Sequence, residues 1–149
     1  MSNIFEIKNY ERDVYYYETD RMGIVHHSNY IKWFEEARID FLDQIGCPFT
    51  KIEEEGIMIP VLSASCTYKR AFTFGDTLSV TIIPKAFNGI KFYMEYEVRK
   101  KGSDDICALG ETSHCFVDTS MKPMLLKKQA YELYELLNGY FMSNKITQK

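Results

Sequence analysis

Between residues 28 and 45 the apolar positions recur every three to four residues. Tyr30, Phe34, Ala37, Phe41 and Ile45 line one stripe, which is the spacing of one face of an α-helix. Ile31, Trp33 and Leu42 widen that stripe, and a helix this apolar has to be wrapped by other structure. Ser28 and Asn29 are both good N-caps, since either side chain can accept from an unpaired N–H of the first turn. Gly46 and Pro48 end the helix, because Gly takes a left-handed cap and Pro cannot continue it. The pattern predicts a helix from about Ser28 or Asn29 to Ile45.

Elsewhere the period drops to two. From Thr77 to Ile83, Leu78, Val80 and Ile82 alternate with Thr77, Ser79 and Thr81. Phe92, Met94, Tyr96 and Val98 alternate with Tyr93, Glu95, Glu97 and Arg99. Both stretches read as half-buried strands. Asn88-Gly89 between them is a hairpin signal, because both residues tolerate positive φ. Ile59 to Tyr68 and Ile106 to Val117 predict two more strands, with a polar turn at Lys101 to Asp105 and a loop at Asp118 to Pro123. Upstream, the Tyr-rich run Val14 to Thr19 predicts a strand, followed by a turn-like break at Asp20-Arg21-Met22-Gly23. Gln129 to Phe141 predicts an amphipathic terminal helix with Leu133, Leu136 and Leu137 on one side. One long helix followed by an antiparallel meander implies an α+β fold, with the sheet curled round the helix. A free sheet edge in such a fold invites pairing with a second copy. There is no internal repeat or linker, and the whole chain, 1–149, reads as one domain.

Composition narrows the classes. The 11 Tyr, 10 Phe and 1 Trp suit pleated surfaces. A net charge of −3 gives no electrostatic reason to expect nucleic acid as a partner. Cys47, Cys66, Cys107 and Cys115 show no Cys-x-x-Cys spacing, so zinc and dithiol redox motifs are absent. The first residues lack the apolar core of a signal peptide, and no apolar run approaches the roughly 20 residues that span a bilayer. These features predict reduced, packed thiols in a cytoplasmic protein without a membrane span.

The segment from Tyr17 to Tyr30 carries the candidate chemistry. It holds Asp20, Gly23, Ile24, Val25, His27, Asn29 and Tyr30, and leads into Phe34-Glu35-Glu36-Ala37-Arg38. This resembles the 4-hydroxybenzoyl-CoA thioesterase family, including its Tol–Pal-associated branch, whose pattern is roughly Asp-x-x-Gly-(Ile/Val)-Val-x-(His/Tyr)-x-Asn-Tyr before an apolar helix. Phe74-Gly75-Asp76-Thr77-Leu78 and the stretch from Ala108 to Asp118, then Lys122-Pro123, are similar to later segments of that family. The resemblance implies a hotdog fold: an antiparallel sheet wrapped around one long central helix, with a short C-terminal helix. It also implies a homodimer or homotetramer acting as an acyl-CoA thioesterase, with no cofactor.

Hydrolysing a thioester needs a carboxylate or an activated water at the carbonyl carbon, and donors where charge builds on the carbonyl oxygen. Asp20, just before a buried helix, is the candidate nucleophile or general base. The helix N-terminus offers unpaired N–H groups and the positive end of a dipole. By the resemblance, the backbone N–H of His27 is the expected donor, with its side chain a possible helper of Asp20. Gly23 lets the chain turn tightly. Tyr17, Val25, Asn29 and Tyr30 are the expected substrate contacts, and Tyr17, Trp33, Phe34 and the strand aromatics are candidates to line an acyl pocket. His26 and His27 are adjacent and do not converge on one ion, so no metal is expected. Glu35 and Glu36 read as a solvated helix face, although one of them could face inward, with Arg38 as a pairing partner. His114 reads as packed or surface. Lys69-Arg70, Arg99-Lys100-Lys101 and Lys127-Lys128 are candidates to hold CoA phosphates. Two alternatives stay open: an acyl-carrier-protein thioesterase, and a non-catalytic CoA-binding protein on the same fold.

Overall fold

The computed structural model describes residues 6–147. Its five strands are β1 (Tyr10–Asp13), β2 (Val61–Tyr68), β3 (Thr77–Phe87), β4 (Lys91–Lys100) and β5 (Ile106–Cys115). They form one sheet in the order β1-β3-β4-β5-β2, and every pairing is antiparallel. The helices are α1 (Ser28–Gln44), α2 (Phe49–Glu54), α3 (Leu126–Gln129) and α4 (Tyr131–Thr147).

Helix α1 lies against the inner face of the sheet, and its apolar stripe is the reason. Trp33, Phe34, Ala37 and Phe41 are all at most 1% exposed. Fully burying a side chain such as Phe or Leu contributes about 1.5–3 kcal/mol, so this helix is the centre of the core. Phe34 stacks on Tyr96 of β4 with ring centroids 4.4 Å apart. It also lies over Gly110 of β5, where an added Cβ would overlap its ring. The alternation along β4 turns Phe92, Met94, Tyr96 and Val98 inward. Helix α4 closes the far end, where Tyr140 meets Phe41 with centroids 4.6 Å apart. This is the α+β hotdog arrangement that the resemblance implied.

Several boundaries differ from the sequence reading. Val14 to Thr19 is not a strand. The pairing strand is the preceding β1, and Tyr16–Glu18 is a 3₁₀ turn. Three tyrosines and two β-branched residues favour a strand locally, but the buried Glu18 side chain, which accepts from the Tyr15 N–H at 2.8 Å, holds the turn instead. Neither Ser28 nor Asn29 caps α1: the N-cap is His27, without a side-chain cap bond, because Asn29 is buried and engaged elsewhere. Strand β3 continues past Ile83 through Pro84. β1 covers β3 only from Thr77 to Val80, so the missing N–H of Pro84 leaves no second neighbour unpaired. The short helix α2 has too few residues to show a period. The terminal helix starts at Tyr131, after the separate turn of α3, and extends to Thr147. The expected ends held where glycine was needed: Gly46 sits at φ +93° after α1, and Gly89 at φ +91° in the β3–β4 hairpin.

Candidate active site

The segment before α1 is a tight loop pinned at both ends. Thr19 bridges Val25, and Ile24 bridges Thr73. Within it the Asp20 N–H donates to the Ile24 carbonyl at 2.8 Å, and the Gly23 N–H donates to the Asp20 carbonyl at 2.9 Å. Gly23 has φ +78°, and a Cβ there would meet nothing within 4 Å. The demand for glycine is therefore conformational rather than steric. Oδ1 of Asp20 accepts from the Met22 N–H at 2.8 Å. Among the described residues, no hydrogen bond is made to Oδ2. The half-exposed carboxylate is thus oriented by one oxygen and open at the other.

The next turn positions His27. The His26 N–H donates to the Glu18 carbonyl at 2.8 Å, and Tyr68 of β2 donates its O–H to the His27 carbonyl at 3.1 Å. No hydrogen bond from the His27 N–H is made among the described residues, which leaves it as a free donor at the start of a 17-residue helix. His26 is occupied locally, with Nδ1 2.9 Å from the Ser28 hydroxyl and its ring 4.2 Å from that of His27.

Asp20, Val25, His27 and Tyr30 share a cleft of about 310 Å³ with Tyr68, Lys69 and Arg70. Tyr30 is buried, which pushes its phenol well above the ordinary range and keeps it protonated. Its ring packs edge-on against Tyr68 at 4.9 Å. Of the three basic runs, Lys69-Arg70 is the one at this cleft. Lys100 and Lys101 instead pair with Asp76 and Glu11, and Lys127 lies over Tyr134.

Other expected contacts fall elsewhere. Tyr17 is 81% exposed and packs on Tyr15, outside the cleft. Asn29 is buried and donates to the carbonyls of Glu18 at 3.0 Å and His26 at 3.3 Å, so it braces the loop. Trp33 and Phe34 are core residues. Glu36 accepts from Arg12 and from the Tyr10 hydroxyl, whereas Glu35 is exposed. His114 is packed, stacked on Phe92 at 4.6 Å.

The residue that sequence reasoning passed over is Glu18. It is 4% exposed, ion-paired with Arg12, and accepts from the Trp33 indole at 3.0 Å. Its partners lie on β1 and α1, so no local pattern marked it. Tyr68 was missed as a cleft residue for the same reason: it arrives from the other end of the sheet. Among the described residues, no three His, Cys, Asp or Glu side chains group to hold a metal. No helix there is long and apolar enough to cross a membrane.

The sheet wrapped around α1, with a cleft at the N-terminus of that helix, is the fold of the hotdog thioesterases. Residues 14–132 match the family model described as the thioesterase-like superfamily, and the chain belongs to that superfamily of thioester hydrolases. A solved hypothetical protein from Aquifex aeolicus is 36% identical, with 87% of this chain and 98% of that one covered and a TM-score of 0.80. The DHNA-CoA thioesterase from Staphylococcus aureus superposes with a TM-score of 0.89 over 94% of both chains, at 24% identity, which speaks for the fold. A 1,4-dihydroxy-2-naphthoyl-CoA hydrolase of Thermosynechococcus vestitus is 28% identical over 72% of this chain and 74% of its own length. These likenesses carry the motif's assignment to the superfamily, and not to the 4-hydroxybenzoyl-CoA or Tol–Pal-associated branch within it.

Proposed function

We propose that the chain hydrolyses an acyl-CoA thioester to the free acid and CoA in the cleft before α1. One observation carries this reading: the Asp20 carboxylate and the unpaired His27 N–H line the same cleft at the N-terminus of α1. The thioester carbonyl oxygen takes the His27 N–H, where the helix dipole adds to the stabilisation of developing negative charge. Asp20 then acts on the carbonyl carbon. It either attacks directly, forming a mixed anhydride as the C–S bond breaks and CoA leaves as the thiolate, after which water hydrolyses the anhydride to the free acid and restores Asp20, or it takes a proton from the water that attacks, and that proton passes to the departing CoA sulfur. Lys69 and Arg70 at the rim suit the CoA phosphates, and the dihydroxynaphthoyl-CoA relatives favour a CoA ester as substrate.

The enzyme works as a homodimer in this reading. Among the described residues β2 is an outer strand paired with β5 alone, and Val61, Leu62 and Tyr68 on it are each close to half exposed. An unpaired strand edge of that kind is met by a second copy.

A thiol-release assay over a panel of acyl-CoAs tests the proposal. Asp20→Asn is expected to keep the fold and lower kcat by about 100-fold or more. Near-normal turnover in that variant would overturn the role of Asp20.

A further inference from the structure

The His27 N–H is one half of a peptide unit whose other half is the His26 carbonyl. A trans peptide is planar, and its C=O and N–H point in opposite directions. No peptide bond among the described residues is cis. Whatever holds the His26 oxygen therefore aims the His27 N–H.

Asn29 holds that oxygen twice. Its backbone N–H donates to the His26 carbonyl at 3.0 Å, and its side-chain Nδ2 donates to the same oxygen at 3.3 Å. Nδ2 also donates to the Glu18 carbonyl at 3.0 Å, which accepts the His26 N–H at 2.8 Å as well. Both neighbours of Nδ2 are carbonyl oxygens that only accept, so the amide nitrogen and not Oδ1 has to face them. The Glu18 side chain is fixed in turn by Arg12 and by the Trp33 indole, so the brace runs back to β1 and to the core face of α1. Asn29 itself is 8% exposed and does not line the cleft. The following peptide is held separately, by the Tyr68 O–H and the Tyr30 N–H on the His27 carbonyl at 3.1 and 3.3 Å.

Two donors on a carbonyl also polarise its peptide. They draw electron density to the oxygen and leave the N–H on the other side a stronger donor, and hydrogen bonds in such a chain strengthen one another by roughly 10–30% each. The sequence Asn29 amide, His26 carbonyl, His27 N–H ends at the point where the substrate oxygen gains charge.

We propose that Asn29 is a positioning residue for the hydrolysis: through the His26–His27 peptide it aims and polarises the N–H that stabilises the oxyanion. The inference rests on the thioesterase reading above. Charge on the carbonyl oxygen grows along the reaction, so a better donor stabilises the transition state more than the bound ester. Its loss therefore appears in kcat, with KM little changed. A packing role alone would lower the amount of folded protein and leave the turnover of the folded fraction as it was.

The test measures thiol release by wild type, Asn29→Ala and Asn29→Ser on the acyl-CoA that wild type turns over fastest, with rates normalised to folded protein. Removing a whole oxyanion donor costs about 100- to 1000-fold. Asn29→Ala leaves the main-chain bond to His26 in place, so kcat and kcat/KM are expected to fall together by about tenfold. The Ser hydroxyl keeps a single donor, so Asn29→Ser should lie between the two, and it carries the comparison if the alanine variant does not fold. A second readout is the infrared carbonyl stretch of the same ester, isotope-labelled at the carbonyl carbon and bound to Asp20→Asn protein. Binding should lower the frequency, and adding Asn29→Ala or Asn29→Ser should return it toward that of the free ester. An unchanged kcat in the folded variants, a loss confined to KM, or a carbonyl band that the added substitution does not move overturns the inference and leaves the thioesterase reading intact. Wild type that releases thiol from no CoA ester overturns that reading itself.

Discussion

At the N-terminal end of α1, Asp20, Gly23, Val25, His27 and Tyr30 fall within residues 20–30. A cavity beside Arg38, farther along the same helix, gathers side chains from α1, α2, β2, β4 and β5, with the Tyr96 and Thr112 hydroxyls joining Arg38 to His114. The first region is built mostly from backbone: a turn closed at Gly23, a carboxylate oriented by the Met22 N–H, and a donor left over at His27. The second is built from side chains that meet only because strands far apart in the chain pair in one register. The contrast separates a corner made by local backbone from a pocket made by distant side chains. A reactive group needs a fixed backbone corner, which a contiguous segment can supply. A selective pocket needs shape and charge brought in from several elements.

Glu18 anchors the first region to β1 and α1, and its loss should have the largest effect on stability. Its carboxylate meets Arg12, the Trp33 indole and the Tyr15 N–H, while Arg12 also reaches Glu36 at 3.0 Å. Glu18→Ala leaves Arg12 short of its buried partner and should cost about 3–5 kcal/mol in urea unfolding. A loss below about 1 kcal/mol would place this pair with exposed ones.

A smaller effect comes from the side-chain-built half. Gly110→Ala puts a Cβ into the Phe34 ring, and overpacking of this kind costs about 1–3 kcal/mol. Adding Phe34→Leu to the same chain should recover part of the loss, because the two sites are coupled through one contact. Strictly additive losses would argue against that contact.

Per pH unit, the smallest effect is a pH dependence. Burial, with a contribution from the Arg38 charge, pushes the His114 imidazole down from 6.5 to about 3. Between those values the unfolded chain takes up a proton that the folded chain refuses. Stability therefore holds above about pH 6.5 and falls as pH drops toward 3. This residue adds a slope of up to about 1.4 kcal/mol per pH unit. His114→Gln should remove that component when urea midpoints are followed from pH 7 to 4. An identical slope in the variant would assign the loss to carboxylates instead.

The legibility of each part follows from the same contrast. Helix α1, the β3–β4 hairpin and the alternation of β4 were readable because their periods and their glycines are local. The stretch from Val14 to Thr19 was misread because strand propensity there is outweighed by one buried carboxylate with distant partners. Tyr17 looked like a cleft residue by its place in the motif, but the 3₁₀ turn aims it outward. Tyr68 and Lys69 join the cleft only because β2 runs back alongside β5 to the start of α1.

Read along the chain alone, the residues specify an amphipathic central helix, an antiparallel meander and an Asp-x-x-Gly turn, since each depends on neighbours a few positions away. Packing assigns the rest: which Glu is buried, which aromatic lines the cleft, and which hydroxyls join Arg38 to His114. Those choices depend on strand register, and register is set by the whole buried face rather than by any one segment.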